Sequence, residues 1–133
     1  MIALPLVCLA LNVYFEARND DVAGQVAVAQ IVMERVKNSE YPETICLVVT
    51  EGGERRHACQ FSWHCDGKSD TPYDEHAWER ALLVASAVMA GSGHVALRDA
   101  THYHAWYAHP DWVDLPNMEF IGVFGLHYYY MES

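Results

Sequence analysis

The chain opens with a long apolar segment, from Met1 to Tyr14, which ends where Glu16 and Arg18 introduce charge. A membrane span needs about 20 apolar residues, more than this segment supplies. A signal peptide begins with basic residues and ends at a small-residue cleavage site, and the segment has neither. The pattern therefore predicts a buried helix, and we expect a protein made in the cytoplasm without a signal peptide or membrane span.

The clearest periodicity lies just after this segment. From Asp21 onward, apolar residues return at the 3.6-residue period of a helix for four turns. They are Val22, Val26, Ala29, Met33 and Val36. Asp20 or Asp21 is suited to cap this helix. On this pattern, Glu34 and Arg35 are expected to face solvent.

The middle of the chain alternates helix signals with a loop. Pro42 is expected to open a short third helix, since its fixed φ suits the first helical position. Residues 51–70 show no apolar period, and loops of this length in small domains commonly bind something. Thr71 is expected to cap a fourth helix, with Asp74 completing a capping-box-like pair and Gly91 ending it.

The last third of the chain is β-prone. Residues 101–107 are aromatic, and residues 120–130 combine branched and aromatic side chains with two glycines, as short strands or a hairpin do. Helices that precede strands indicate an α+β fold rather than a parallel βαβ sheet. Without repeats or linkers, residues 1–133 are expected to form a single domain.

Composition narrows the range of partners. The chain has 133 residues, a formal net charge of −10, four Trp, eight Tyr and four Phe. Such aromatic content excludes a disordered segment, and a chain of this length should bury roughly two thirds of its unfolded surface. Nucleic acids and anionic membranes attract Lys and Arg, so the acidic balance argues against both as partners. We expect a monomer.

Four cysteines allow three pairings if all are oxidised. Cys59 and Cys65 enclose a short segment and could bridge, and Cys8 with Cys46 would then tie the first helix to a later one. The alternative is four reduced thiols, which behave as small apolar groups. A four-thiolate zinc site is disfavoured, because no pair has the gap of two to four residues usual in such sites.

Glu16 is a candidate general acid. It ends an apolar helix, so its carboxyl is expected to be partly desolvated. Desolvation raises the pKa of a carboxyl toward neutrality, which suits a group that protonates a leaving oxygen. The alternative is a surface glutamate that caps a helix or pairs with Arg18, and composition alone favours it; the motifs around Glu16 favour the acid.

Several short motifs stand in series along the chain. They include Tyr14-Phe15-Glu16-Ala17-Arg18, Gly24-Gln25-Val26-Ala27-Val28-Ala29-Gln30, Cys59-Gln60-Phe61-Ser62-Trp63 and Ala100-Thr101-His102-Tyr103-His104. In this order they resemble the SleB-type cell wall hydrolase family, from about Cys8 to Tyr130. The resemblance implies a mainly helical, lysozyme-like α+β domain with a small late hairpin or sheet. It also implies action on peptidoglycan glycan strands, with Glu16 as the catalytic residue.

The family is similar to lytic transglycosylases, in which one carboxyl protonates the glycosidic oxygen and then takes a proton from the 6-hydroxyl of the sugar. We expect no cofactor and no metal for this chemistry. Ordinary hydrolysis would need a second carboxylate, about 5–5.5 Å away for retention or 6.5–9.5 Å for inversion. Asp20, Asp21 and Asp66 are the candidates.

Substrate contacts are expected from two motifs. Gln60, Ser62 and Trp63 combine hydrogen-bonding groups with a flat aromatic face, as sugar-binding grooves do, although Trp63 could instead fill the core. Tyr103 is expected to aim its hydroxyl at the substrate or at the catalytic glutamate, with His104 supporting it.

Two alternative functions stay open. His102 and His104 alternate on a predicted strand and could both face zinc, which would suit a peptidoglycan amidase. A non-catalytic wall-binding or virion domain would keep the fold without the activity. Of the settings for an enzyme, a phage endolysin that lyses its host is favoured by the lack of a signal and of a separate wall-binding module.

Overall fold

The computed structural model describes residues 4–51 and 59–133, and in these two ranges four α-helices precede a three-stranded sheet. The helices are α1 (Pro5–Ala17), α2 (Val22–Lys37), α3 (Ile45–Val49) and α4 (Glu75–Met89). The strands are β1 (His102–Ala105), β2 (Met118–Phe124) and β3 (His127–Glu132), with short 3₁₀ turns at Ser62–Cys65, Val95–Leu97 and Asp111–Asp114. The predicted α+β class is confirmed.

Helix α1 lies at the centre of the helical layer and packs against α2, α3 and α4. Its apolar residues are buried on nearly every side, with Leu9, Ala10 and Val13 fully inside. A helix that is apolar all round is stable only when buried, which explains the pattern at the start of the chain. Pro5 stands in its first turn, where proline costs no hydrogen bond. The predicted buried helix is confirmed from Pro5, and residues 1–3 lie outside the described residues.

Helix α2 begins as predicted, because the Asp21 side chain accepts a 2.8 Å hydrogen bond from the Gly24 amide. The prediction that Glu34 and Arg35 face solvent is wrong. They are only 6% and 3% exposed, because α4 and the segment before β1 cover this end of α2. Both charges have partners there, which is what allows their burial.

Two helix starts differ from the predictions, for the same reason. Helix α3 begins at Ile45 rather than Pro42, because the Thr44 hydroxyl accepts the Leu47 amide at 3.2 Å. A side-chain oxygen that accepts from the third following amide fixes the first turn more strongly than a proline does.

Helix α4 likewise begins at Glu75, because Asp74 rather than Thr71 is its cap and accepts the Ala77 amide at 3.1 Å. The predicted stop at Gly91 is confirmed, since the helix ends at Met89 and Gly91 has a φ of 114°. Only glycine adopts that conformation without strain.

The sheet has the order β1-β3-β2 and is antiparallel throughout. Strands β2 and β3 form the predicted hairpin, and its turn includes Gly125, with a φ of 58°. The hairpin packs on α2 through a second apolar cluster that contains Ile31, Leu97 and Tyr129. The sheet is thereby held against the C-terminal end of α1, where Ala17 joins the same cluster.

The structure pairs Cys8 with Cys46 and Cys59 with Cys65. The first disulfide ties α1 to α3, with 5.3 Å between the Cα atoms. The second lies in the predicted loop and joins its two cysteines across the 3₁₀ turn at residues 62–65. Residues 52–58 of the same predicted loop lie outside the described residues. None of the helices in the two described ranges is long and apolar enough to span a membrane.

Candidate active site

Glu16 lies in the last turn of α1, partly buried, where the helical layer meets the sheet. It lines two surface pockets of about 210 and 290 Å³. The residues common to both pockets are Phe15, Glu16, Ala105, Tyr107 and His127. Because these residues are shared, the pockets are two ends of one cleft, which we call the Glu16 cleft. One end reaches Gln60 and the other reaches Trp106.

Burial raises the pKa of the Glu16 carboxyl above its ordinary value. Two groups oppose this rise: the Tyr103 hydroxyl, which donates toward the carboxylate, and the positive charge of Arg35. The burial effect is the largest, so the carboxyl holds its proton to higher pH than an exposed glutamate. This is the property that the sequence predicts for a general acid.

Tyr103 reaches the cleft from β1, with its ring stacked on Tyr129 at 5.4 Å between centroids. Burial raises the pKa of the Tyr103 hydroxyl well above its usual range, so it stays a donor. The hydroxyl is buried and has no partner at ordinary hydrogen-bond geometry in the described part of the chain, so its interaction with Glu16 is looser than a formed hydrogen bond. Such a donor is free to follow the carboxylate or a substrate oxygen.

Arg35 supplies a buried positive charge on the α2 side of the cleft. Its Nε donates to the Thr101 carbonyl at 2.9 Å, and its guanidinium lies over the Tyr41 and Phe61 rings at 5.0 and 5.3 Å. Within residues 4–51 and 59–133, Nη1 has no hydrogen-bond partner. The positive charge of the guanidinium favours the ionised form of Glu16. The periodicity of α2 missed this role, because Arg35 falls on the face expected to meet solvent.

Asp20 and His127 form a second polar pair beside Glu16. The Asp20 carboxylate is buried and accepts the Leu126 amide at 2.8 Å, and its other oxygen lies 3.2 Å from Nδ1 of His127. Nδ1 therefore carries the proton, and Nε2 is the acceptor. Burial lowers the pKa of His127 and outweighs the opposing effect of Asp20, so the ring is neutral.

None of the three candidate second carboxylates is available in the Glu16 cleft. Both Asp20 oxygens already hold the hairpin turn, and a Cβ at Gly24 or Gly125 would collide with them. Asp21 caps α2 and Asp66 accepts the amide of Lys68 at 2.8 Å, and neither lines either end of the cleft. Among the described residues, Glu16 is thus the one cleft carboxyl whose oxygens are not committed to the fold.

The structure brings together three of the predicted substrate contacts. Gln60, Tyr103 and His104 line one end of the Glu16 cleft, whereas Ser62 is exposed and lies outside both pockets. His104 does not support Tyr103 as expected. Its Nδ1 donates to the Ala105 carbonyl at 2.8 Å, so its Nε2 accepts the Tyr130 hydroxyl at 2.9 Å.

Trp63 is not placed as a substrate contact. It is 8% exposed, its indole N–H donates to Asn12 at 2.8 Å, and its ring stacks on Phe15 at 5.0 Å. The side chain therefore supports Phe15 from behind the cleft, which matches the core alternative. The composition of a loop does not reveal which way an aromatic ring points.

The histidines of β1 form no metal-ligand set with other described residues. His102 and His104 both contact the Trp112 ring, and Nδ1 of His102 lies 3.0 Å from the Thr101 hydroxyl. Within residues 4–51 and 59–133, no group of three or more His, Cys, Asp or Glu side chains is arranged to hold a metal ion.

A separate pocket of about 370 Å³ lies between the C-terminal parts of α2 and α4. Its acidic group, Glu34, pairs with Lys37 at 3.0 Å and accepts the Asp99 amide at 2.7 Å. Both oxygens of the Glu34 carboxylate are therefore engaged in holding the fold. Although this pocket is larger than either end of the Glu16 cleft, its carboxylate is not available for chemistry, and we do not take it as the candidate site.

A helical layer, a small antiparallel sheet and a partly buried carboxyl in the cleft between them define an α+β fold in which, among the described residues, Glu16 is the cleft carboxyl available for chemistry. The family model described as Cell Wall Hydrolase matches residues 19–130, and the chain belongs to this family. The match begins three residues after Glu16. The resemblance of the motif series to the SleB-type cell wall hydrolase family is confirmed.

Among solved structures, the chain is similar to the catalytic domain of the Bacillus cereus SleB protein. The TM-score is 0.67 at 21% sequence identity, over 98% of this chain and 92% of that one. At this identity the likeness shows the shared fold. No curated protein matches the chain.

Proposed function

We propose that the protein is a peptidoglycan lytic transglycosylase that cleaves the bond from MurNAc to GlcNAc, with Glu16 as general acid and then general base. Membership of the cell wall hydrolase family supports an enzyme of the bacterial wall. The observation that carries the mechanism is a carboxyl of raised pKa in a cleft whose other described carboxylate, Asp20, is bound to the hairpin.

In the first step, protonated Glu16 gives its proton to the glycosidic oxygen as the bond from C1 of MurNAc to that oxygen breaks. The GlcNAc side leaves as an alcohol, and positive charge develops at C1. Glu16 becomes a carboxylate, which the charge of Arg35 and the Tyr103 hydroxyl stabilise. Groups already in place need no reorganisation as the charge appears.

In the second step, the Glu16 carboxylate takes the proton of the MurNAc 6-hydroxyl as its oxygen bonds to C1. The product is a 1,6-anhydro ring, and Glu16 is again protonated. One proton is given and one is returned, so no water is consumed. A single carboxyl suffices for this sequence, whereas hydrolysis would need a second carboxylate to activate water or to attack the sugar.

The test is the release of soluble muropeptides from purified sacculi. The protein should release them, and Glu16→Gln should lower the rate at least about a hundredfold, since a general acid contributes that much or more. Glu119→Gln, on the exposed face of β2, is the matched control and should retain the rate. Full activity of Glu16→Gln would contradict the role of Glu16.

The same products separate the alternative functions. Free stem peptides, lost on addition of EDTA, would indicate a zinc amidase instead. Binding to sacculi without release would indicate a wall-binding domain.

A further inference from the structure

Two exposed aromatic side chains stand at the mouth of the Glu16 cleft. Trp106 and Tyr107 follow β1 directly and are 60% and 77% exposed. Trp106 lines one end of the cleft, and Tyr107 lines both ends. The other strongly exposed aromatic residues of the described chain, Tyr73 and Phe120, line neither pocket. The cleft is therefore the one place where exposed rings and a reactive group come together.

The backbone holds this pair in place. The Trp106 amide donates to the Leu126 carbonyl at 2.9 Å, and the Ala108 amide closes a turn onto Ala105 at 3.0 Å. The two rings lie 5.7 Å apart at 88° to each other, so they form an angled surface rather than a flat stack. Because the turn is bonded to the hairpin, the backbone that carries the two rings is already ordered and need not be fixed on binding.

We propose that Trp106 and Tyr107 form a sugar-stacking platform that binds a neutral N-acetylhexosamine ring of the glycan strand, with Trp106 at the end of the Glu16 cleft that does not reach Gln60. This inference rests on the proposed function and adds the position of a glycan subsite to it. The two cleft ends meet at Glu16, so a glycan strand that crosses the acid must leave the cleft beside Trp106.

The chemistry of the platform suits a pyranose ring. The C–H face of a sugar is apolar and faintly positive, and it packs on the negative face of an aromatic ring, while the hydroxyls at the sugar's edge keep their hydrogen bonds. Trp and Tyr give large rigid contact areas with few rotatable bonds. The net charge of −10 disfavours an anionic ligand and leaves a neutral ring unaffected.

The test uses the Glu16→Gln protein, which binds glycan without consuming it. N-acetylglucosamine oligomers, which carry no charge, are titrated by calorimetry, and tryptophan fluorescence is followed in parallel. Trp106→Ala should weaken binding about tenfold, equivalent to about 1.4 kcal/mol, because Trp is enriched among the residues whose truncation weakens an interface most. Tyr107→Ala should weaken it severalfold. Tyr73→Ala, as exposed as Tyr107 at 77%, is the control and should bind like the parent.

Unchanged affinity in the Trp106→Ala, Tyr107→Ala double variant overturns the platform, as does the absence of any sugar binding by the Glu16→Gln protein. Both rings are exposed, so circular dichroism should show an unaltered fold in each variant. With Glu16 intact, Trp106→Ala should raise KM for soluble glycan about tenfold and change kcat little. The platform and the proposed function fail separately: muropeptide release by Glu16→Gln contradicts the catalytic role alone, and unchanged sugar affinity contradicts the platform alone.

Discussion

The raised pKa of Glu16 makes a prediction about folding that is independent of any substrate. A carboxyl whose pKa is higher in the folded than in the unfolded protein binds its proton more tightly when folded. The stability that this tighter proton binding contributes is fully present below the pKa of the unfolded protein, near 4.5. It is lost as the pH rises through the pKa of Glu16 in the folded protein. Glu16→Gln removes this loss, because glutamine resembles the protonated acid and does not titrate.

The magnitude follows from the shift itself. Each unit by which the pKa of Glu16 is raised corresponds to about 1.4 kcal/mol of stability gained by the glutamine variant at neutral pH. The two proteins should be nearly equal in stability at pH 4. The difference in their free energies of unfolding, which we call the gap, should increase with rising pH and become constant above the pKa of Glu16 in the folded protein. A gain of stability on removal of a polar group is typical of active sites, where function rather than folding places the group.

The assay is urea unfolding at half-unit steps from pH 4 to pH 8, followed by tryptophan fluorescence. The exposed Glu119, changed to Gln, is the control and should give a gap close to zero at every pH. A gap between wild type and Glu16→Gln that is constant with pH, or that favours wild type at neutral pH, would refute the desolvation argument.

Three further predictions concern the surroundings of the candidate acid. Asp20→Ala should cost about 3 kcal/mol in urea unfolding, because it leaves the Leu126 amide and Nδ1 of the buried His127 without their acceptor, and a loss below about 1 kcal/mol would contradict the role of Asp20 in the hairpin turn. Replacing Cys8 and Cys46 by Ser should cost about 4 kcal/mol in thermal unfolding, from the loss of a crosslink over 38 residues, and equal melting with and without reductant would speak against it. Tyr103→Phe should raise the pKa of Glu16, so, if Glu16 is the general acid proposed above, the basic limb of the pH–rate profile should move to higher pH. An unshifted limb would show that the hydroxyl does not reach the carboxylate.

The fold followed from the sequence wherever a local pattern had one meaning. The buried α1, the extent of α2 and the late hairpin are cases in which apolar spacing and glycines allow few alternatives. The predicted starts of α3 and α4 are wrong because, in each case, a residue suited to begin a helix lies a few residues before the true cap. The sequence does not show which of two neighbouring side chains meets a free amide, and that contact decides the cap. Thr44 and Asp74 do so in the folded chain.

The site was predictable only in part. Glu16 could be singled out because it ends an apolar helix and lies in the first motif of the series that resembles the family. Arg35 could not, since its burial depends on Thr101, distant along the chain, and on the rings above it. Trp63 and Trp106 show the same limit: the first lies buried against Phe15 and the second lines the cleft, and composition alone does not distinguish them.

The central claim is that the Glu16 carboxylate takes its second proton from the 6-hydroxyl of MurNAc rather than from a water molecule. Isotope labelling tests this claim most directly. Sacculi are digested in water enriched in heavy oxygen, and the new muropeptide ends are examined by mass spectrometry. The account predicts anhydro-muramic ends that lack one water relative to reducing ends and carry no heavy oxygen. Reducing ends labelled with heavy oxygen at C1 would contradict it and show that water attacks the glycosidic carbon.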